Sequence, residues 1–168
     1  VSYADGEIDM GLDAWARGLR VLRVEGTWPY AFALDGSTRD VSDRSVDLAV
    51  RADSLPAGLV LSLLEDLENT QGTISGTLDV AGTPAALEPR GLLRLDGGAW
   101  TVGALGVRQE QVQATFDVQA DRIVQVEASG RSGGSVNVTG TVTLDSLASP
   151  ALDLDIALQS FNAVDRRD

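Results

Sequence analysis

The sequence contains no cysteine, no histidine and no lysine, so each of its 13 basic side chains is an arginine. Without cysteine or histidine, this segment cannot form a Ser-His or Cys-His nucleophile system, or a zinc site built from those ligands. Most carboxylates, such as Asp117 and Asp153, fall on the expected outward faces of strands, where charge is ordinary. We therefore expect no enzymatic activity, no metal site and no cofactor.

Long apolar runs and positive charge are scarce as well. The longest apolar stretch, around residues 59–64, is far shorter than the ~20 residues of a membrane-spanning helix. With 25 acidic and 13 basic residues, the formal net charge is −12, which disfavours nucleic acid and anionic membrane surfaces as partners. We expect a soluble segment with no nucleic-acid partner, which contacts membranes only through parts of the protein outside these residues.

The feature that dominates the sequence is an alternation of apolar and polar residues with a period of two. It is clearest in residues 46–53 (VDLAVRAD) and 151–159 (ALDLDIALQ). Period two is the side-chain period of a β-strand, so each such segment has one apolar and one mostly polar face. The pattern returns along nearly the whole chain and predicts a mainly β protein whose sheet must hide a continuous apolar face from water.

One segment departs from this alternation. Its apolar residues recur at helical spacing, and Pro56 suits a first helical turn. Asn69 and Gly72 are residues of the types that commonly end a helix. The pattern predicts one short amphipathic helix over about residues 56–68, which either plugs the space in front of the sheet or packs on the sheet. The apolar residues of this helix are Leu59, Val60, Leu63, Leu64 and Leu67.

Glycine and proline follow the helix in a distinctive order. Residues 69–100 read NTQGTISGTLDVAGTPAALEPRGLLRLDGGAW, which combines G-x-x-x-G-x-L-x-V-x-G-T-P with P-x-G-x-L-x-L-x-G. The run Asp96-Gly97-Gly98 is a strong turn signal and predicts the end of a strand. The glycines and prolines of the pattern are Gly72, Gly76, Gly82, Pro84, Pro89, Gly91 and Gly97.

The ordered combination of helix, GT-Pro turn and DGG turn resembles the TamB family of the AsmA-like superfamily, over about residues 40–168. Members of this family are long periplasmic proteins, anchored in the inner membrane of diderm bacteria. The resemblance implies an elongated antiparallel β-meander, curved into a taco-like trough with an apolar interior. It also implies that residues 1–168 are a single β-rich segment of a longer, repetitive periplasmic protein.

The same resemblance implies a function. The family is implicated in moving phospholipid between the inner and outer membranes, and in outer-membrane protein assembly with a barrel partner. Exposing one CH₂ group to water costs roughly 0.8 kcal/mol, and a whole acyl chain on the order of 10 kcal/mol, so an apolar strip would lower the barrier to crossing an aqueous compartment. We expect phospholipid acyl chains, and an outer-membrane barrel protein, as partners.

Alternation alone leaves other hypotheses open. The same residues would fill the core of a self-packed β-sandwich or solenoid domain of a surface protein, whose sheets would pack ~10 Å apart. A third hypothesis is a chaperone that offers strand edges to nascent barrel proteins. The residues expected to line a lipid-binding groove are Ile74, Leu78, Val80, Phe116, Val118, Val136, Val138, Val142, Leu144, Leu152, Leu154, Ile156 and Leu158.

Overall fold

The computed structural model describes residues 2–4, 6–30, 41–62, 67–103, 106–144 and 151–160. These residues form ten strands and one short helix, α1, at Ala57–Leu61. The strands are β1 (Ser2–Ala4), β2 (Glu7–Ala16), β3 (Leu19–Pro29), β4 (Val46–Pro56), β5 (Leu67–Thr83), β6 (Ala86–Val102), β7 (Val107–Val118), β8 (Ile123–Arg131), β9 (Ser135–Thr143) and β10 (Ala151–Gln159).

The strands form a single open sheet in which each strand pairs with its neighbours in sequence, in the order β1 to β10. Every pairing is antiparallel. The prediction of a mainly β, curved antiparallel meander with one short helix is therefore confirmed. In the described part of the chain no second sheet stacks on this one, whereas the β-sandwich hypothesis requires such a layer.

Two local expectations were wrong in their extent. The helix is shorter than predicted, because the chain is already extended again at Leu67, where β5 begins; residues 63–66 lie outside the described part. The turn predicted at Asp96-Gly97-Gly98 does not occur, and β6 continues through it. Gly97 has a φ of 61°, and the pairing with β7 shifts between Leu95 and Gly98. The glycines therefore form a bulge within a long strand, a role glycine often has inside a strand.

The tightly packed core is small. One cluster of buried side chains joins Ala57 of the helix to Leu95, Val112 and Ala114 of the sheet. A second cluster joins Val21, Ala52 and Leu55. The accessible surface of the chain is 11296 Å², compared with about 7,900 Å² expected for a compact monomer of 17.6 kDa. The chain thus exposes more surface than a compact monomer of this mass, and among the described residues no second sheet packs on the apolar face.

Candidate functional site: an open apolar face

The register of the sheet aligns apolar residues into rows that run across the strands. In the first row, Leu12 of β2 is followed strand by strand to Leu152 of β10, which spans roughly 38 Å along the sheet at about 4.8 Å per strand. Only apolar residues and one glycine occupy this row. Its members are Leu12, Val24, Val50, Leu78, Gly91, Val118, Val124, Val142 and Leu152.

A second row lies beside the first on the same face, two residues along each strand. It consists of apolar residues and two glycines and also extends from β2 to β10, so the apolar surface is continuous in both directions of the sheet. Its members are Ala14, Leu22, Ala52, Gly76, Leu93, Phe116, Val126, Gly140 and Leu154.

All the groove-lining residues predicted from the sequence lie on this apolar face. Val118 is buried, and most of the others are half-buried. The three most exposed belong to the edge strand β10: Leu152, Ile156 and Leu158 have relative exposures of 63%, 61% and 52%. The half-buried residues are Ile74, Leu78, Val80, Phe116, Val136, Val138, Val142, Leu144 and Leu154.

Helix α1 covers one end of the apolar face, which we call the helix end. Ala57 is fully buried there against Leu95 and Val112, and Leu61 packs against the same cluster. Leu59 and Val60 point away from the cluster and are exposed. The prediction that Leu59 and Val60 form the packing face of the helix is therefore wrong, since Ala57 and Leu61 make that contact instead; Leu63 and Leu64 lie outside the described residues. The helix closes this end, and no other described residues form a helix over the face.

The opposite end of the same face, which we call the open end, contains a cavity of about 450 Å³. Val80 in this cavity is six residues from Ile74 at the helix end, or roughly 20 Å along β5. The volume lies within the range of about 300–1,000 Å³ that is typical of small-molecule sites. The lining residues are Leu78, Val80, Pro84, Ala85, Leu87, Pro89, Val118, Arg122 and Leu144.

The lining of this cavity shows that the sheet is curved. Leu78 belongs to β5 and Leu144 directly follows β9, so a flat sheet would hold them about 19 Å apart, at about 4.8 Å per strand interval. They nevertheless line one cavity together with Val118 of β7. The sheet therefore curls towards its apolar face at this end, which gives the apolar surface the form of a trough.

Several residues of this site were not among the predicted lining. Leu87 and Pro89 pair with Gly82 and Val80 across β5 and β6, and so share the apolar face. The period-two pattern in residues 87–95 would have identified them, because they have the same parity as Leu93 and Leu95. No comparable signal pointed to Arg122, which lies in the β7–β8 turn and is hydrogen-bonded through its carbonyl oxygen to the lining residue Leu144.

The opposite face of the sheet is polar and carries charges of both signs. Arg23 and Arg51 lie opposite each other in neighbouring strands. Each donates to a carboxylate of its own strand: Arg23 Nε to Glu25 Oε2 at 2.8 Å, and Arg51 Nε to Asp53 Oδ1 at 2.9 Å. Such exposed pairs contribute only about 0.2–1 kcal/mol each to stability, which is consistent with a face that is exposed to solvent.

A depression of about 600 Å³ also lies on this polar face. Its lining includes Arg94, Gln113, Glu127 and Asn137. A twisted sheet is hollow on both faces at different places, so the depression follows from the sheet itself. We place the candidate site on the apolar face, because apolar surface left in water raises the free energy and polar surface does not.

Other site classes find no support among the described residues. No group of three or more acidic side chains in those ranges is arranged to hold a metal ion. None of the helices formed by those residues is long and apolar enough to cross a bilayer. Compared with protein-family models, curated proteins and solved structures, the chain gives no match.

Proposed function

We propose that this chain is a module of a lipid-transfer trough, whose apolar face shields acyl chains from water. The observation that carries the proposal is the pair of apolar rows that cross the sheet from β2 to β10 without a covering layer in the described part of the chain. The cavity at the open end adds a place where an apolar guest can be enclosed.

The chemistry of the face suits passage better than tight binding. Its rows consist of Val, Leu, Ala and Gly with one Phe, so neighbouring positions offer an acyl chain nearly equal free energies. The backbone groups inside the sheet are paired with neighbouring strands and do not compete for the guest. An acyl chain that moves along such a strip avoids the cost of exposure to water, which is roughly 0.8 kcal/mol per CH₂ group.

The resemblance to TamB-like proteins gives the proposal its setting. We propose that the module works in the periplasm of a diderm bacterium, between an inner-membrane anchor and an outer-membrane barrel partner, with phospholipid as cargo. The net charge of −12 fits a segment that stays clear of anionic membrane surfaces, because such surfaces repel it.

Site-specific photocrosslinking tests the proposal with a matched pair of neighbouring positions. A photoreactive amino acid replaces Val138 on the apolar face, or Thr139 on the polar face of the same strand. The purified variants are incubated with vesicles of a neutral diacyl phospholipid and irradiated, and lipid adducts are measured by mass spectrometry. We expect adducts at position 138 and a background level at position 139.

Two outcomes would contradict the lipid-transfer proposal. Equal labelling at positions 138 and 139 would show that the lipid contacts are unspecific. If lipid adducts are absent and crosslinks in cells occur only to proteins, at edge-strand positions such as Ile156, strand addition at β10 would be the better explanation. That outcome would favour the chaperone hypothesis, since β10 forms one edge of the open sheet.

A further inference from the structure

The cavity at the open end combines an apolar lining with a charged residue. Of its lining residues in the described ranges, Arg122 alone carries a charge, and the others are Leu, Val, Pro and Ala. A long apolar enclosure with one cation at its boundary matches an amphiphile with an apolar chain and an anionic headgroup. Neither a purely apolar guest nor a free inorganic anion would use both parts of this lining.

The backbone of Arg122 is held in place by the hairpin that joins β7 and β8. Its N–H donates to the carbonyl oxygen of Gln119 at 3.0 Å, and its own carbonyl oxygen accepts from the N–H of Leu144 at 2.9 Å. The second bond ties the turn to the end of β9, beside another lining residue. The guanidinium therefore starts from a fixed point on the cavity boundary.

The guanidinium is also available for a ligand. Arg20, Arg23, Arg51 and Arg108 form ion pairs with carboxylates, whereas Arg122 forms none with the carboxylates of the described ranges. The side chain of the neighbouring Asp121 forms a hydrogen bond within its own turn, in which its Oδ1 accepts from the N–H of Ile123 at 3.3 Å. Within the part of the chain that the structure describes, an anion at the boundary can thus pair with Arg122 without displacing a carboxylate from it.

We propose that the cavity encloses the part of an acyl chain nearest its headgroup, and that Arg122 binds a carboxylate or phosphate on that headgroup. The inference rests on the proposed function, because it assumes that acyl chains occupy the apolar face. It adds a selectivity for anionic amphiphiles at one end of the trough. Because the chain as a whole carries a net charge of −12, a local cation is needed to offset its repulsion of an anionic headgroup at this point.

A competition experiment on the purified 168-residue chain tests this selectivity. The neutral fluorophore N-phenyl-1-naphthylamine is bound first, and is then displaced at pH 8 by dodecanoate, dodecyl phosphate or dodecanol, which share one chain length. We expect both anionic compounds to bind about threefold to tenfold more tightly than dodecanol, as a charge-assisted contact at a partly exposed site would provide.

The variants Arg122→Gln and Arg122→Gly should lose this preference and keep the affinity for dodecanol. Arg122 has a φ of 64°, a left-handed conformation that glycine adopts without strain, so the glycine variant is expected to fold. Arg90→Gln is the matched control. Arg90 directly follows the lining residue Pro89 but belongs to the opposite, polar face, opposite Asp79, and its loss should leave the preference intact.

Each contrary outcome has a separate meaning. If Arg122→Gln and Arg90→Gln both keep the preference, Arg122 does not bind the headgroup, although the trough itself stands. If inorganic phosphate alone, at the dissociation constant of dodecyl phosphate, abolishes the preference, the site binds a free anion and the amphiphile inference is wrong. If none of the three compounds displaces the fluorophore, the proposed function fails with it.

Discussion

Gly76 shows how single residues allow this sheet to curve. It lies in the middle of β5 on the apolar face, between Ala52 of β4 and Leu93 of β6. Its φ of 133° is a conformation that other residues rarely adopt, and a Cβ atom there would meet the carbonyl oxygen of Leu92. The absence of a side chain lets the backbones of β5 and β6 approach closely at this point, as glycines inside curved sheets do.

We expect Gly76→Ala to lower the free energy of unfolding by about 2–4 kcal/mol, from backbone strain together with the forced displacement of β6. Gly11→Ala is the matched control, because Gly11 also lies inside a strand but has no atom within 4 Å of the position of a Cβ. Urea denaturation of both variants gives the comparison. Similar losses at the two positions would show that Gly76 is not under a special constraint.

At the scale of elements, the sequence predicted the strands well and placed the GT-Pro turn, which separates β5 from β6, but it misplaced one interruption. Val46 to Ala52 and Leu152 to Leu158 alternate with one alanine each on the polar side, and both segments form strands in the predicted places. The Asp96-Gly97-Gly98 run was assigned to a turn because Asp-Gly is a common hairpin signal. Pairing with β5 and β7 on both sides instead holds β6 extended through it. Local residue preferences cannot report such tertiary pairing.

The seating of helix α1 on the sheet can be tested through its one fully buried residue. Ala57 has a relative exposure of 0% and contacts Leu95, Val112 and Ala114. We expect Ala57→Leu to lower the free energy of unfolding by about 1–3 kcal/mol, because the cluster has no room for the extra carbons. Chemical denaturation monitored by tryptophan fluorescence measures the loss, since Trp100 packs against the same cluster.

Leu59→Ala serves as the control for the helix, because Leu59 is 62% exposed on the other side of α1. Its effect on the free energy of unfolding should stay within about 0.5 kcal/mol, as for most surface substitutions. If Ala57→Leu proved equally harmless, α1 would not be seated on the sheet, and the helix end would be open as well.

At the scale of the whole molecule, the alternation predicted which residues share a face but not which of them meet. Parity along each strand placed Leu78 and Leu144 on one side of a sheet, as the structure has them. It could not place them around one cavity, because their strands are four positions apart in the sheet. That proximity depends on the curl of the sheet. Arg122 lies in a turn, where no periodic pattern marks it.

An open apolar face also makes the stability of the molecule depend on what occupies it. A ligand that binds only the folded chain raises the free energy of unfolding by about 2.7 kcal/mol at a concentration of 100 times its dissociation constant. We expect a neutral monoacylglycerol to produce a gain of this size in urea denaturation of the purified chain. The neutral headgroup keeps this prediction independent of Arg122.

The ligand-dependent gain in the free energy of unfolding should be sensitive to a substitution on the apolar face and insensitive to one on the polar face of the same strand. Val142 lies in the first apolar row, between Val124 and Leu152, while the preceding Thr141 belongs to the polar face. We expect Val142→Asn to reduce the ligand-dependent gain at a fixed ligand concentration, because a polar side chain interrupts the apolar row. We expect Thr141→Asn to leave the gain unchanged.

The comparison uses the difference between the free energies of unfolding with and without ligand, so it tolerates a loss of intrinsic stability in either variant. A full gain in Val142→Asn would place the ligand elsewhere, and no gain in the unaltered chain would mean that the apolar face takes no acyl chain.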